Sequence, residues 1–359
     1  MKYSAIQFDS DEKKLVHRFI GFPQKLYSKD TLVQDTKTEI ALLQGKHILS
    51  HYFDVYPFLA FDEYDNTAAR CLLTVYHDQK CAYIGYFECI DSDAAAKCIM
   101  SAAEKKAHQL GCTSVIGPVD ASFWIRYRLK TNCFDQPPYT GEPYNMPYYA
   151  RFFTENGYSV CGEYISNRYG IIEPDFINEK NVRRLNRFKD MGYVIKSPDK
   201  STFEQSLREV YGLLISLYSN FQTFSMITED EFCRLYAPMK FAADLSMVKI
   251  AYFNDVPVGF SVNLPNYGNA SSGRHTPSKL LKMLRIKKAP KDYILLYLGV
   301  NRDHLGLGKA VTEDILCRLS EKKAVSIGAL IRRGKVTGTY FSKIIEKEYE
   351  YLLYEKKLP

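Results

Sequence analysis

The sequence predicts a mixed α/β protein built from two similar units. Strand-like segments alternate with amphipathic helices along the chain, which is typical of α/β architecture. A strand–helix–strand succession occurs in the first half, at residues 82–116, and again in the last quarter, at residues 294–331. The length of 359 residues also fits two domains of ordinary size.

The first succession opens with an aromatic and β-branched run at residues 82–90, which predicts a strand. The polar residues 91–93 are suited to cap a helix. Apolar residues then recur every three or four positions up to Leu110, and Gly111 provides a helix stop, so an amphipathic helix is predicted between them. A short strand at residues 113–116 completes the unit.

The second half repeats this order. A basic helix at 182–190, a strand at 193–196 and a helix at 203–218 precede the hairpin 248–264, and a short basic amphipathic segment follows at 278–288. A buried strand is then predicted at 294–300, a helix with apolar residues every four positions from Leu307 to Leu319, a strand at 326–331, a helix at 338–347 and a closing strand at 349–354. Helix- and strand-like segments at 148–153 and 158–165 match that ending in the first half. The pattern breaks near Gly170 and Pro174, so the predicted units are residues 1–170 and 171–359.

Composition and charge exclude several classes of protein. The 48 Lys and Arg exceed the 41 Asp and Glu by seven, which suits an anionic ligand but not the dense basic surface of a nucleic-acid-binding protein. The nine cysteines are scattered without a C-x-x-C pair, so no metal site is expected. Neither a secretion signal nor an apolar stretch of membrane-spanning length is apparent, and we expect a cytoplasmic protein without a membrane partner.

A glycine-containing loop carries the functional signal. It joins the predicted strand 294–300 to the following helix and includes Gly306 and Gly308. Glycines at a helix start allow backbone N–H groups to converge on an anion such as a diphosphate. The loop is neither a P-loop, because Lys309 is followed by Ala310, nor a dinucleotide fingerprint, because Val311 replaces the third glycine.

The loop resembles the coenzyme A loop of the GNAT acyltransferase superfamily, whose pattern is [Q/R]-x-x-G-x-[G/A]. Gly306-Leu307-Gly308 matches its core, whereas Asp303 stands where Gln or Arg is usual. Gly259 after the turn 254–257, and the segment 145–158, also resemble GNAT motifs, and residues 117–122 are similar to bacterial proteins that hold two GNAT units. The likeness extends from about residue 35 to the end of the chain.

This resemblance implies an acyltransferase. It would move an acyl group, expected to be acetyl, from acetyl-CoA or another acyl-CoA to the amine of a small molecule or peptide. Tyr340 would act as the acid, since Ser342 occupies the family's usual tyrosine position, and His304 is the candidate base. The residues expected to contact coenzyme A are Leu298, Gly299 and Val300 on the strand, and His304, Leu305, Gly306, Leu307, Gly308, Lys309 and Ala310 around the diphosphate.

Two alternatives remain open at this stage. One is a Fem-like transferase that takes aminoacyl groups from tRNA, although the long helical insertion of that group is missing. The other is a GNAT-fold binding or scaffold protein without catalysis, favoured by Ser342 and Asp303. In the first unit, Asp91 and Asp93 stand where the glycines should be, so that unit is predicted not to bind coenzyme A.

Overall fold

The computed structural model describes residues 2–176, 179–218, 223–272 and 276–359. The chain divides into two compact units. Unit 1 comprises Met1–Tyr164, Gly268–Thr276 and Glu350–Pro359, and unit 2 comprises Ile165–Tyr267 and Pro277–Tyr349. The chain therefore returns to unit 1 in its last ten residues, a return that a single boundary at residue 170 does not include.

Most of the predicted helices and strands are present, with additional elements at the N-terminus and two short helices between residues 229 and 242. Unit 1 contains β1 (Ser4–Gln7), α1 (Lys13–Gly21), α2 (Pro23–Leu26), α3 (Thr36–Leu43), β2 (Phe53–Phe61), β3 (Thr67–Tyr76), β4 (Cys81–Cys89), α4 (Asp93–Gln109), β5 (Ser114–Gly117), β6 (Leu129–Lys130), α5 (Tyr149–Glu155) and the start of β7 (Ser159–Tyr169). Unit 2 contains the end of β7, α6 (Glu179–Asp190), β8 (Tyr193–Lys196), α7 (Phe203–Tyr218), α8 (Glu229–Tyr236), α9 (Met239–Ala242), β9 (Lys249–Phe253), β10 (Val256–Pro265), α10 (Pro277–Lys288), β11 (Asp292–Val300), α11 (Leu307–Lys322), β12 (Val325–Arg332) and the start of β13 (Ile345–Lys357).

In unit 1, β1 to β4 form an antiparallel meander, β5 runs parallel to β4, and the end of β13 pairs antiparallel with β5. The apolar stripe predicted for residues 96–110 is confirmed as the buried face of α4 up to Ala107, whereas Leu110, just after the helix, is 40% exposed. Ala96, Ile99 and Ala103 on this face are all fully buried in one core cluster. Burial of such a stripe is the main source of stability for a helix of this length.

In unit 2, β8 to β11 are antiparallel neighbours, and β12 runs parallel to β11. The helix α11 buries the predicted face, with Leu307, Val311 and Leu319 fully enclosed. Its N-terminal half packs on α6 and β8, and its C-terminal half on Tyr293 of β11. This arrangement holds the start of α11 at the end of β11.

The helix predicted at residues 338–347 is wrong. Two 3₁₀ turns, Val336–Thr339 and Ser342–Ile344, occupy most of that range, and β13 begins at Ile345. Phe341 between the turns has a left-handed backbone (φ 58°), which an α-helix of L-residues does not contain.

Two negative findings apply to the residues that the structure describes. None of their helices combines the length and apolar character needed to cross a bilayer. Nor do they contain a group of three or more His, Cys, Asp or Glu side chains arranged to hold a metal ion.

Candidate active site

The site is built around the start of α11. Gly306 is the residue before the helix and has a left-handed backbone (φ 90°), a conformation that glycine adopts without a steric penalty. The amide of Leu307 donates to the carbonyl of His304 at 3.2 Å, and that of Ala310 to the carbonyl of Gly306 at 3.4 Å. No side chain caps this helix start.

Four other amides of this turn are available to an anion. Within the described part of the chain, the N–H groups of Leu305, Gly306, Gly308 and Lys309 have no hydrogen-bond acceptor. Unpaired N–H groups at a helix start carry partial positive charge and attract phosphate oxygens. Because Leu305 is 88% exposed, solvent reaches this turn. We call residues 305–309 the amide turn.

His304 anchors the amide turn to the neighbouring strands. Its Nδ1 lies 2.7 Å from the hydroxyl of Tyr193 on β8, and its ring meets those of Tyr193 and Phe253 edge-on at 5.5 and 5.7 Å between centroids. The imidazole is therefore held by packing and by one hydrogen bond. Its Nε2 is the nitrogen that remains for proton exchange.

The two parallel strands that meet at the site stop pairing near their middle. Paired positions run from Asp292–Val325 to Leu295–Gly328. On the other edge of β11, Leu296 is bulged, since Leu295 and Tyr297 pair with consecutive residues of β10. This bulge was not predicted, because a single extra residue leaves no mark on the hydrophobic pattern.

The strand β12 bends at the same level. Leu330 has a left-handed backbone (φ 56°), and its amide donates at 2.8 Å to the Oγ of Ser166 on β7, the neighbour of β12 on the side away from β11. From Leu296 onward, the edge of β11 that faces β12 is thus without a paired strand among the described residues. An extended ligand can hydrogen-bond to such an edge.

The predicted strand residues lie at the end of β11, between this edge and the amide turn. Leu298, Gly299 and Val300 pair with β10. A side chain at position 299 would come within 2.6 Å of the ring of Phe260 and 2.7 Å of Leu217. Gly299 is therefore required by close packing of α7 and the sheet.

Tyr340 reaches the amide turn from a distant part of the sequence. Its hydroxyl lies 3.9 Å from the position of a Cβ added to Gly308, and the Nζ of Lys309 is 5.8 Å from its ring centroid. Burial raises the pKa of Tyr340, and the positive charge of Arg184 opposes that shift. The structure thus brings Tyr340, Gly308 and Lys309 together.

Arg184 was not singled out in the sequence. It lies on α6, which packs against the start of α11 through Leu185 and Phe188, and Phe188 is the side chain nearest to a Cβ added at Gly306. The signal that could have found it was the basic pattern of residues 182–190, which carries Arg183, Arg184 and Arg187.

The corresponding helix start in unit 1 is closed by its own side chains. Ser92 Oγ accepts a hydrogen bond from the amide of Ala95 at 3.3 Å. Asp91 and Asp93 flank the turn and pair with Arg151 at 2.6 and 3.0 Å. A capped, acid-flanked helix start repels phosphate, so the two units differ at the point where an anion would bind.

The strand of unit 1 that corresponds to β11 is closed in the same way. The amide of Tyr86, whose φ is 46°, donates to Asp120 Oδ1 at 2.5 Å, and Asp120 Oδ2 accepts from Arg126 Nε at 2.6 Å. Gly85 has no space for a side chain against the carbonyl of Val119. The loop after β5 therefore fills the position beside β4.

A buried carboxylate lies next to this filled position. Oε2 of Glu88 accepts hydrogen bonds from the hydroxyls of Tyr27 at 2.7 Å and Tyr149 at 2.8 Å. Burial raises the pKa of Glu88, and the charge of Arg70 and these hydrogen bonds oppose the shift.

Unit 2 also contains an apolar groove beside the bulged strand. It is formed by α7, α8, α9 and the sheet and encloses about 560 Å³, including space open to solvent. Tyr297, one residue after the bulge, forms part of its wall. The other lining residues are Pro198, Phe203, Ser206, Leu207, Val210, Leu214, Phe232, Tyr236, Met239, Ala243, Val248 and Val262.

Comparison with solved structures shows the class of fold. A tandem GNAT protein from the clavulanic acid biosynthesis pathway superposes with a TM-score of 0.57 at 8% identity, covering 99% of this chain and 98% of that one. A glucosamine N-acetyltransferase region of a fungal multi-domain β-N-acetylglucosaminidase gives the same TM-score at 12% identity, covering 99% of this chain and 38% of that one. The protein therefore has the GNAT fold in two units, as its sequence motifs predicted.

Two curated proteins are also similar in sequence to this chain. A bacterial ceramide synthase from Caulobacter vibrioides is 26% identical over 226 residues, covering 61% of this chain and 58% of the relative. Protein YghO from Escherichia coli is 22% identical over 188 residues, covering 52% of this chain and 48% of the relative. The chain thus spans about half the length of these relatives. No family model matches the sequence.

Proposed function

We propose that this protein is an N-acyltransferase that uses an acyl-CoA as donor and an amine as acceptor, with unit 2 as the catalytic unit. The observation that carries the proposal is the uncapped amide turn at the end of the half-unpaired strand β11. Lys309 and Arg184 add positive charge near Tyr340. This set of groups suits a diphosphate on the turn and an extended pantetheine arm along the strand edge.

The reaction divides among a few groups of this chain. The acceptor nitrogen attacks the thioester carbonyl carbon, a C–N bond forms and the C–S bond breaks. Backbone N–H groups near the Leu296 bulge would stabilise the carbonyl oxygen as it gains negative charge. Tyr340 lies beside Gly308 in the amide turn, about 13 Å along the strand from the bulge, so it would hydrogen-bond the diphosphate, and water would give the leaving thiolate its proton. The amine proton would leave to water, and His304, at the diphosphate end of the strand, would position the amide turn.

We expect the apolar groove to bind the acyl group of the donor. Its walls are almost wholly hydrocarbon and aromatic, and Tyr297 places one end beside the bulge. An acetyl group does not need such a surface, whereas a long acyl chain gains roughly 0.8 kcal/mol for each buried methylene. A ceramide is a long-chain amine that carries a fatty acyl group in amide linkage, so the likeness to a ceramide synthase agrees with a donor longer than acetyl-CoA.

A direct assay separates the candidate activities. The full chain is incubated with acetyl-CoA, palmitoyl-CoA or charged tRNA as donor and a panel of short amines, long-chain amines and peptides, and amide products are identified by mass spectrometry. We expect amide formation with the long acyl donor. Product from charged tRNA alone would favour a Fem-like transferase, and no product with any donor would leave a binding protein.

A variant pair tests the groove itself. Ser206 lines it from α7, while Ser216 is exposed on the same helix. Ser206→Phe should lower turnover of the long acyl donor at least tenfold relative to acetyl-CoA, because the added ring occupies the groove. Ser216→Phe adds the same side chain outside it and should leave the ratio unchanged. Equal ratios in both variants would contradict the assignment of the groove to the acyl chain.

A further inference from the structure

A second surface of unit 2 combines exposed leucines with positive charge. On α10, Leu280, Leu281 and Leu284 are 48%, 49% and 64% exposed, and no residue of this helix is buried. Surface leucines occur singly on most proteins, whereas three on one face form a patch that requires an explanation. Folding of unit 2 does not account for these side chains.

The charges of α10 have one sign. Between Pro277 and Lys288 the helix carries five Lys or Arg and no Asp or Glu. Among the described residues, the exposed side chains of Lys282, Arg285 and Lys288 form no ion pair or hydrogen bond. At 100° per residue the three leucines span about 100° of the helix surface, Lys288 lies among them, and Arg285 and Lys282 lie along one side of that stripe. The outer face thus presents apolar and cationic groups together.

The neighbouring helix α9 extends this patch. Lys287 Nζ donates a hydrogen bond to the carbonyl of Phe241, whose side chain is 73% exposed. Met239 and Ala243, on either side of Phe241, line the apolar groove. Residues 239–243 therefore form part of the groove wall and also hold an exposed aromatic ring beside the cationic helix. We call Phe241 and the outer face of α10 the α9–α10 surface.

We propose that the α9–α10 surface binds the interface of a lipid bilayer that contains anionic lipids. Leucine and phenylalanine side chains enter the boundary between headgroups and acyl chains, while Lys and Arg bind the anionic headgroups. A nucleic acid would use the charges but not the exposed leucines. This replaces the expectation from the sequence that the protein has no membrane partner, and it does not depend on the proposed acyl transfer.

Vesicle co-sedimentation tests the proposal with the full chain. Vesicles of phosphatidylcholine alone are compared with vesicles containing about one quarter phosphatidylglycerol. The protein should sediment with the anionic vesicles and be released at about 0.5 M salt, because screening weakens the charge contribution. Absence of binding to anionic vesicles, or equal binding to neutral ones, would overturn the proposal. Tighter binding to duplex DNA than to vesicles would favour a nucleic-acid partner instead.

Variants then locate the binding surface. Lys282→Ser with Arg285→Ser should weaken partitioning roughly 30-fold, as expected for two basic residues near an anionic surface. Leu281→Ser with Leu284→Ser should weaken it on neutral and anionic vesicles alike. The matched control, Lys105→Ser with Leu110→Ser, removes the same residue types from an exposed region of unit 1 and should bind normally.

Two readouts keep the outcome clear. Thermal unfolding of each variant shows whether the fold is retained, which we expect because the altered side chains are exposed. Hydrogen exchange of the wild-type chain with and without vesicles should show new protection at residues 239–242 and 277–288. Protection elsewhere, or equal sedimentation of all variants, would refute the assignment of binding to this surface.

Discussion

Substitution of Gly308 by Asp separates binding from stability at the amide turn. A Cβ at this position would lie 3.6 Å from Val300 Cγ2 and 3.9 Å from the hydroxyl of Tyr340, both ordinary contact distances, so the fold accommodates the side chain. Gly308 is the second residue of α11, where a carboxylate interacts favourably with the helix dipole. We therefore expect Gly308→Asp to stabilise the protein slightly, by about 0.5–1 kcal/mol.

The same carboxylate should repel a diphosphate on the turn. Two unit charges about 4 Å apart interact by about 1 kcal/mol in water and about 4 kcal/mol near a protein surface. Because the turn is exposed to solvent, a loss of roughly 10- to 100-fold in affinity for coenzyme A is expected. Isothermal titration calorimetry measures this affinity, and thermal unfolding measures the stability.

Gly308→Asn is the matched control, since it adds a side chain of the same size without charge. It should lower the affinity for coenzyme A by less than about 5-fold, because it adds no charge repulsion to the diphosphate. If the Asp and Asn variants bind coenzyme A equally well and as tightly as the wild type, the diphosphate does not lie on this turn. If Gly308→Asp unfolds the protein, the local packing described for α11 is wrong.

Three further predictions concern Tyr340, Glu88 and His304. Tyr340→Phe removes a hydroxyl beside Gly308 and should raise the Kd for coenzyme A severalfold, the cost of about one hydrogen bond, with little change in kcat; an unchanged Kd would exclude this role. The pKa of Glu88 is raised in the folded state. Glu88 therefore stabilises the fold fully below the ordinary carboxyl pKa, and this contribution is lost as the pH rises through the raised folded-state pKa. Glu88→Gln should therefore be more favourable to stability at about pH 8 than at about pH 4, and denaturant unfolding at both pH values would show an equal effect if this were wrong. Tyr193→Phe removes the hydrogen bond to His304 and should cost about 1 kcal/mol of stability while raising the Kd for coenzyme A severalfold; retention of both values would show that His304 does not position the turn.

Much of the fold follows from local patterns. The predicted strand 193–196 and helix 203–218 match β8 and α7, because each has a clear periodicity and a clear stop. The loop between β11 and α11 was found for the same reason, since strand, glycines and helix are consecutive in the sequence. Such features need no knowledge of distant residues.

The rest depends on contacts between distant segments. The pairing of β13 with β5 joins residues more than 200 positions apart, and no local pattern indicates it. The wrong helix at 338–347 had acceptable periodicity, but Phe341 adopts a left-handed backbone there. In the site, the approach of Tyr340 and Arg184 to the amide turn, and the tie between His304 and Tyr193, arise only when separate elements pack together.

A crystal structure of the protein with coenzyme A tests the central claim most directly. The account predicts diphosphate oxygens within hydrogen-bond distance of the amides of Leu305, Gly306, Gly308 and Lys309, with the pantetheine arm along the free edge of β11. A diphosphate bound at another surface, or an amide turn that stays solvated while coenzyme A binds elsewhere, would contradict it.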